Sequence, residues 1–138
     1  MSPAPKAGIV ALAGVLAACA GSGQPNADVY AAFQAQRSRV EVTASGSVTR
    51  VLGTRQGPSG NHEGFILRLS GPAGSPLTIR VEDNVDITGP IPLAPGDRVE
   101  VRGEYIYAAD GGLIHFTHHN PRGSHPGGYV RVGDKVFL

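Results

Sequence analysis

Cysteine occurs once in this 138-residue chain, at Cys19, so the chain can form no intramolecular disulfide and no cysteine-based metal site. Charged residues are scarce, at 17%, and Lys and Arg (12) barely outnumber Asp and Glu (11). A nucleic-acid binder draws affinity from neutralising phosphates and shows a basic excess. None is present here, so no nucleic-acid partner is expected. Aromatic residues make up only 6%. No internal repeat or block of like charge appears, and no complete catalytic triad is legible. The longest apolar run, residues 7–18, has 12 residues, against about 20 needed to span a bilayer as a helix.

That short run has another use. Lys6 precedes it, small residues end it, and Leu16-Ala17-Ala18-Cys19 follows. This is the form of a secretory signal, and its end resembles the lipobox cut by the bacterial lipoprotein signal peptidase. Cys19 is then the expected lipidation point and first mature residue. Two or more acyl chains are needed for stable anchoring, since one holds only marginally. Ala20, rather than Asp, at the following position favours the outer membrane over the inner by analogy with enteric bacteria. Loss of Lys6 leaves 11 basic and 11 acidic side chains, a mature net charge of zero. The expected division is a lipoprotein signal peptide over 1–18, a lipidated Gly/Ser/Pro-rich tether over 19–26, and one folded domain over 27–138.

Glycine (20) and proline (11) punctuate that domain. Residues 27–38 read as a short helix, capped by Asn26 or Asp28, with Val29, Ala32, Phe33 and Gln36 on one face. From Arg39 the period becomes two. Val40, Val42 and Ala44 form one inward row, and Gly46 permits a bend. Residues 53–64 read as a loop on composition. Phe65, Leu67 and Leu69 form a second row, and Leu77, Ile79 and Val81 a third. Pro90, Pro92 and Pro95 make 83–95 irregular. Val99, Val101, Gly103, Tyr105 and Tyr107 form a fourth row, with Gly103 marking a sharp bend. After the Asp110-Gly111-Gly112 turn, residues 113–117 form a fifth strand, and 129–132 with 135–138 a terminal ribbon. The pattern predicts an all-β domain with one short N-terminal helix: a small OB-like Greek-key barrel of five to six strands.

All five histidines fall in two places. His62 lies in the predicted loop before the second strand. His115, His118, His119 and His125 lie within 11 residues. With Ile114 and Phe116 in the core, His115 and Thr117 face outward or into a groove. His115 and His118 can meet one ion only if the strand bends near Thr117. Asn120 precedes Pro121 and is held extended, so the following loop can fold His125 back towards His118 or His119. Neutral imidazoles suit zinc or another divalent metal, with His115, His118, His119 and His125 as candidate ligands. The same residues can instead bind a ligand without metal, or simply hydrogen-bond a Gly/Pro-rich loop. His62, Glu104, His115, Thr117, His118, His119, Asn120 and His125 are the candidate ligand-binding set. Ile114-His115-Phe116-Thr117 also has the local form used by two-histidine phosphoesterases, but the second copy that chemistry needs is missing at Asn61-His62-Glu63-Gly64.

Beyond Asp28 the chain resembles a bacterial family, domain of unknown function 3465. The likeness is carried by Phe33, Ser38 and the strand over 40–46, and by His62-Glu63-Gly64-Phe65-Ile66-Leu67. Its most specific part is Gly103-Glu104-Tyr105, then the 111–121 run Gly-Gly-Leu-Ile-His-Phe-Thr-His-His-Asn-Pro, then His125 and Gly128-Tyr129-Val130. The resemblance implies a small exported domain and implies no reaction. Phe116 and Tyr129 stand where the family has tryptophans, Asn120 where it has aspartate, and Asp83 where it often has histidine. A metal site built on that histidine or aspartate would be altered here.

Three functions follow from these readings. The first is a non-catalytic envelope binding domain holding a metal, an anion or a glycan at its histidine corner. The second is a metal-dependent hydrolase using the histidines as ligands and Glu104 or Glu63 as general base. The third is a structural or assembly lipoprotein with no small-molecule site. The topology further predicts that His62 meets the 115–125 segment at one rim of the barrel.

Overall fold

The computed structural model describes residues 2–4, 25–71 and 74–138. Cys19, and the expected signal and tether apart from residues 2–4 and 25–26, lie outside the described residues. Among the described residues no helix is long and apolar enough to cross a membrane.

Alternating apolar residues dictate the strands, because a period of two puts one row of side chains on the buried face. Seven strands result: β1 (Val40–Gly57), β2 (Gly60–Leu69), β3 (Leu77–Asn84), β4 (Arg98–Ile106), β5 (Leu113–His115), β6 (Tyr129–Val132) and β7 (Lys135–Phe137). The predicted inward rows are the core. Val42, Ala44 and Val48 from β1 meet Phe65, Leu67 and Leu69 from β2, Ile79 and Val81 from β3, and Val101 and Tyr105 from β4. Ile114 of β5 completes the centre.

Antiparallel pairing joins β1 to β2, β2 to β3, β1 to β4 and β4 to β5, and β3 runs parallel to β5. The resulting ring, β1-β2-β3-β5-β4, is the connectivity of an OB-like Greek-key barrel. One seam of the ring is short. β5 meets β3 through two residue pairs, Arg80 with Leu113 and Val81 with Ile114. Beyond Val81, the last three residues of β3 have no β5 neighbour. The β6–β7 ribbon extends the sheet from β4, which raises the strand count above the expected five or six.

Residues 53–64 are not a loop. β1 and β2 continue as a hairpin past the core, with Gly53 to Gly57 pairing back to Gly64 to Gly60 around a turn at Pro58-Ser59. The outer arm is mostly exposed, so its backbone ladder leaves no burial period in the sequence. Register shifts at Val48/Arg50 and Val51/Gly53 curl the long strand around the ring, as bulges do. The hairpin tip is tied down by α2 (Val85–Thr88) and its cap. Asp86 accepts from the Asn61 backbone N–H and side-chain Nδ2, and Asn84 Nδ2 donates to the Ser59 carbonyl.

The N-terminal helix, α1 (Ala27–Gln34), is shorter than predicted. Asn26 does not cap it. Its backbone is left-handed (φ 65°) and its side chain reaches across to the barrel. There Nδ2 donates to the Ser45 and Ser70 carbonyls, and Oδ1 accepts from the Ser45 N–H. Val29, Tyr30 and Ala32 are buried. The Tyr30 hydroxyl donates to the Ser75 carbonyl and lies against Gly71, where a Cβ would collide with the ring. α1 therefore closes the barrel end where β2 finishes and β3 begins.

Gly103 does what its place in the inward row suggests. A Cβ there would strike the His115 carbonyl, so only glycine lets β5 cross so close to β4. Val101 and Arg102 test the faces directly. Val101 is fully buried and Arg102 is exposed. Val101→Asp, an unpaired buried carboxylate, is expected to lose roughly 3 kcal/mol or more of stability, and Arg102→Asp less than about 1 kcal/mol. Equal losses in chemical denaturation would show that the strand faces are assigned wrongly.

Candidate functional site

The free end of β3 and the early stop of β5 together make a groove. β5 ends because Phe116 adopts a left-handed conformation (φ 55°), which a bulky residue holds only when its surroundings enforce it. That single turn reverses the expected alternation, which puts Phe116 in the core and Thr117 outside. Instead Thr117 is fully buried, and Phe116 sits half-buried on the outer face.

Thr117 turns inward to meet Asp83. Asp83 continues the inward row of Leu77, Ile79 and Val81, so its carboxylate is fully buried. Thr117 Oγ1 donates to one of its oxygens at 2.6 Å, and Thr88 Oγ1 donates to the other. Glu63, opposite Asp83 in the ladder, is also buried, and accepts from the Ile91 N–H at 3.0 Å. Burial pushes the Asp83 carboxyl up, against the Thr117 and Thr88 bonds and the nearby His118 and His62 rings. Burial also pushes Glu63 up; the Ile91 bond opposes this and the Asp83 charge adds to it.

On the outside of the same seam, Phe116 is sandwiched between two imidazoles. His115 stacks on it at 4.0 Å and His125 at 4.2 Å, nearly parallel. His118 approaches His125 edge-on at 5.1 Å between ring centres. Gly128 allows the 119–128 loop to pack this closely, since a Cβ there would strike the Arg102 and Phe116 carbonyls. Asn120 braces the loop from within, with Nδ2 donating to the His125 carbonyl and Oδ1 accepting from the Arg122 N–H.

His62 belongs to β2, not to a loop, and pairs in register with Arg55 and Asn84. It lines one groove of about 680 Å³ together with His115, His118, Asn120 and His125. The predicted meeting of the two histidine segments thus occurs. Glu104 lies behind this wall, accepting from His115 Nε2 at 2.8 Å. Thr117 lies beneath it, and His119 is exposed and does not line it. Among the described residues, no three His, Cys, Asp or Glu side chains are gathered to hold a metal ion in this conformation.

Three residues of this corner escape a reading of the sequence for site residues. Asp83 is the next member of a period-two row, a signal that could have found it. Phe116 is visible only as core. Glu41 leaves no signal. It sits on β1 opposite Glu104, and both of its carboxylate oxygens are buried without a hydrogen-bond partner. Burial pushes its carboxyl up; Arg102 opposes the shift and Glu104 adds to it.

Glu41, Glu63 and Asp83 all titrate higher in the folded chain than in the unfolded one. A raised carboxyl stabilises the fold below its unfolded pKa, near 4, and that contribution is lost as pH rises through the folded value. Exposed Asp86, held down chiefly by the Asn61 side chain, works the other way. The thermal midpoint is therefore expected to be lower at about pH 8 than at about pH 4, near the unfolded values. Glu41→Gln should raise the midpoint at the upper pH and leave it nearly unchanged at the lower. A midpoint that climbs with pH in the wild type, or an equal effect of the substitution at both values, would contradict this electrostatic account.

No curated protein and no solved structure gives a match to this chain. Residues 13–138 match a family described as protein of unknown function (DUF3465). The match covers nearly the whole chain, including the β-barrel and the histidine corner, and the protein belongs to that family.

Proposed function

We propose that this is a lipid-anchored protein of the bacterial envelope that holds a small ligand in its rim groove without transforming it. The observation that carries the reading is the groove itself. Four imidazoles from two distant segments line one concavity, each with one ring nitrogen already engaged. Sites of this kind are largely preformed concavities with a few convergent polar groups.

The candidate carboxylate bases argue against chemistry: Glu41 is unpartnered but has both oxygens buried, and the others are engaged. A hydrolase built on a carboxylate base would need one free to take a proton from water or substrate. Glu63 is committed to the Ile91 N–H, Asp83 to two hydroxyls, and Glu104 to His115. Ser59 comes within 3.5 Å of His62 Nε2, but the other nitrogen of that ring faces the Gly60 carbonyl rather than a carboxylate. That pair lacks the acidic partner of a triad. A purely structural lipoprotein would have no use for the groove. A metal, an anion or a glycan each fits a polar concavity of this size.

The anchoring half of the reading rests on Leu16-Ala17-Ala18-Cys19 and on Ala20, which favours the outer membrane. Seven residues separate Cys19 from the start of α1. Fully extended they reach at most about 25 Å, so the barrel would work close to the membrane surface.

Cys19→Ser is expected to abolish incorporation of labelled palmitate and to release the protein from the outer-membrane fraction. Labelling that survives the change would sink the anchor. The wild-type chain, with or without added Zn2+, is expected to turn over neither nitrophenyl esters nor nitrophenyl phosphates. Turnover abolished by His118→Ala would instead favour the hydrolase.

A further inference from the structure

We propose that the ligand is a borderline divalent metal ion, zinc being the natural probe, taken by Nε2 of His62, His118 and His125. The proposal rests on the binding role argued above and deepens it. It differs from the four-histidine set legible in the sequence by adding His62 and leaving out His115 and His119.

The reason is the state of the second nitrogen on each ring. His62 Nδ1 faces the Gly60 carbonyl at 3.1 Å. His118 Nδ1 faces the His119 carbonyl at 2.7 Å, and His125 Nδ1 faces the Pro126 carbonyl at 2.7 Å. A carbonyl oxygen can only accept, so each Nδ1 carries the proton. Each neutral ring is thereby fixed in the tautomer whose Nε2 presents a lone pair. This is the arrangement that supports metal-binding histidines: the far nitrogen donates to a backbone carbonyl, orienting the ring and making the near nitrogen more basic. Three rings in one groove share it, each tied to a carbonyl one or two residues away.

Nothing competes for those lone pairs. Among the described residues Nε2 of His118 and of His125 makes no hydrogen bond, and neither is sealed in the interior. His62 Nε2 has only the Ser59 hydroxyl, at 3.5 Å. The other two histidines are disposed differently. His115 spends Nε2 on Glu104 and packs its face on Phe116, and His119 does not line the groove.

Spacing favours the same group. Two imidazoles on one tetrahedral zinc, with Zn–N of about 2.0–2.1 Å, place their ring centres about 5 Å apart. His118 and His125 are 5.1 Å apart and nearly perpendicular. Among the described residues no three such side chains are gathered at one point, so His62 would have to approach this pair for all three to bind one ion. His62 is carried by the β1–β2 hairpin and His125 by the 119–128 loop, and both line the groove. The ion would close one upon the other, with water in the fourth position.

The test is Zn2+ titration of the full chain in detergent at about pH 7.5, where unperturbed imidazoles are mostly neutral, read by calorimetry and by NMR of the histidine ring nitrogens. One equivalent should bind, shifting Nε2 of His62, His118 and His125. His125→Ala and His62→Ala should each weaken binding at least about tenfold, the lower bound seen even for losing a supporting contact. His119→Ala should not. His118 is buried, and the other two variants keep the proposal falsifiable if His118→Ala fails to fold. No binding, or equal losses with His119→Ala, overturns the metal assignment. If Zn2+ leaves the rings unmoved while inorganic phosphate or N-acetylglucosamine shifts them, the metal is excluded and the binding role stands. If none of the three moves them, both fall.

Discussion

Asp83 cannot stay where β3 puts it without donors. Its side chain points into the barrel because it is the fourth member of an inward row. An unpartnered buried carboxylate would cost several kcal/mol. No strand lies beside it on the β5 side, since β5 pairs no further than Val81. The donors come instead from Thr88 on α2 and Thr117 beyond β5. These two bonds hold together the segments that bound the groove. Thr117 must face inward, so the chain must turn at Phe116, and the loop carrying His118 and His125 starts from that turn.

The left-handed Phe116 is a consequence of the same constraint. An ordinary strand residue there would leave Thr117 on the outer face and Asp83 short of a donor. The strain of a bulky residue at positive φ, of order 1–3 kcal/mol, is offset by a satisfied buried carboxylate. It is also offset by stacking of Phe116 between His115 and His125. Ladder, carboxylate and stack are thus mutually dependent.

How far the sequence reveals this depends on what leaves a periodic mark. The core rows are legible because burial on one face forces alternation, and an OB-like barrel follows from four such rows, a fifth strand and the bend glycine within the fourth row. The outer half of the β1–β2 hairpin was not legible. Most of its residues are exposed or half-buried on both sides, so the backbone ladder that organises them selects for no pattern. Alternation alone puts Thr117 on the outer face, and the positive φ of Phe116 inverts it. Asn26 has the residue type of a helix cap, whereas its side-chain partners, Ser45 and Ser70, are distant in sequence. At the candidate site, the convergence of His62 with the 115–125 segment was readable from topology. The tautomers were not, because each depends on a carbonyl placed by local turns.

The two ends of the barrel obey different rules. At the α1 end, Asn26 satisfies three backbone groups and Tyr30 fills the space a glycine leaves. At the other end a positive-φ Phe, two buried carboxylates with raised pKa, and an orphaned Glu41 beside Glu104 crowd one seam. Local rules of folding are broken there in several ways at once, and natural sequences retain such departures chiefly where function needs them. Glu41 is the most telling, because a valine or threonine would suit its strand position at no electrostatic cost. After Arg102, the groups that oppose the upward shift of its carboxyl are the His125 and His115 rings, which enclose Phe116. When ionised, Glu41 favours positive charge in the groove those rings line. That electrostatic bias weighs towards a cationic occupant of the groove rather than an anion.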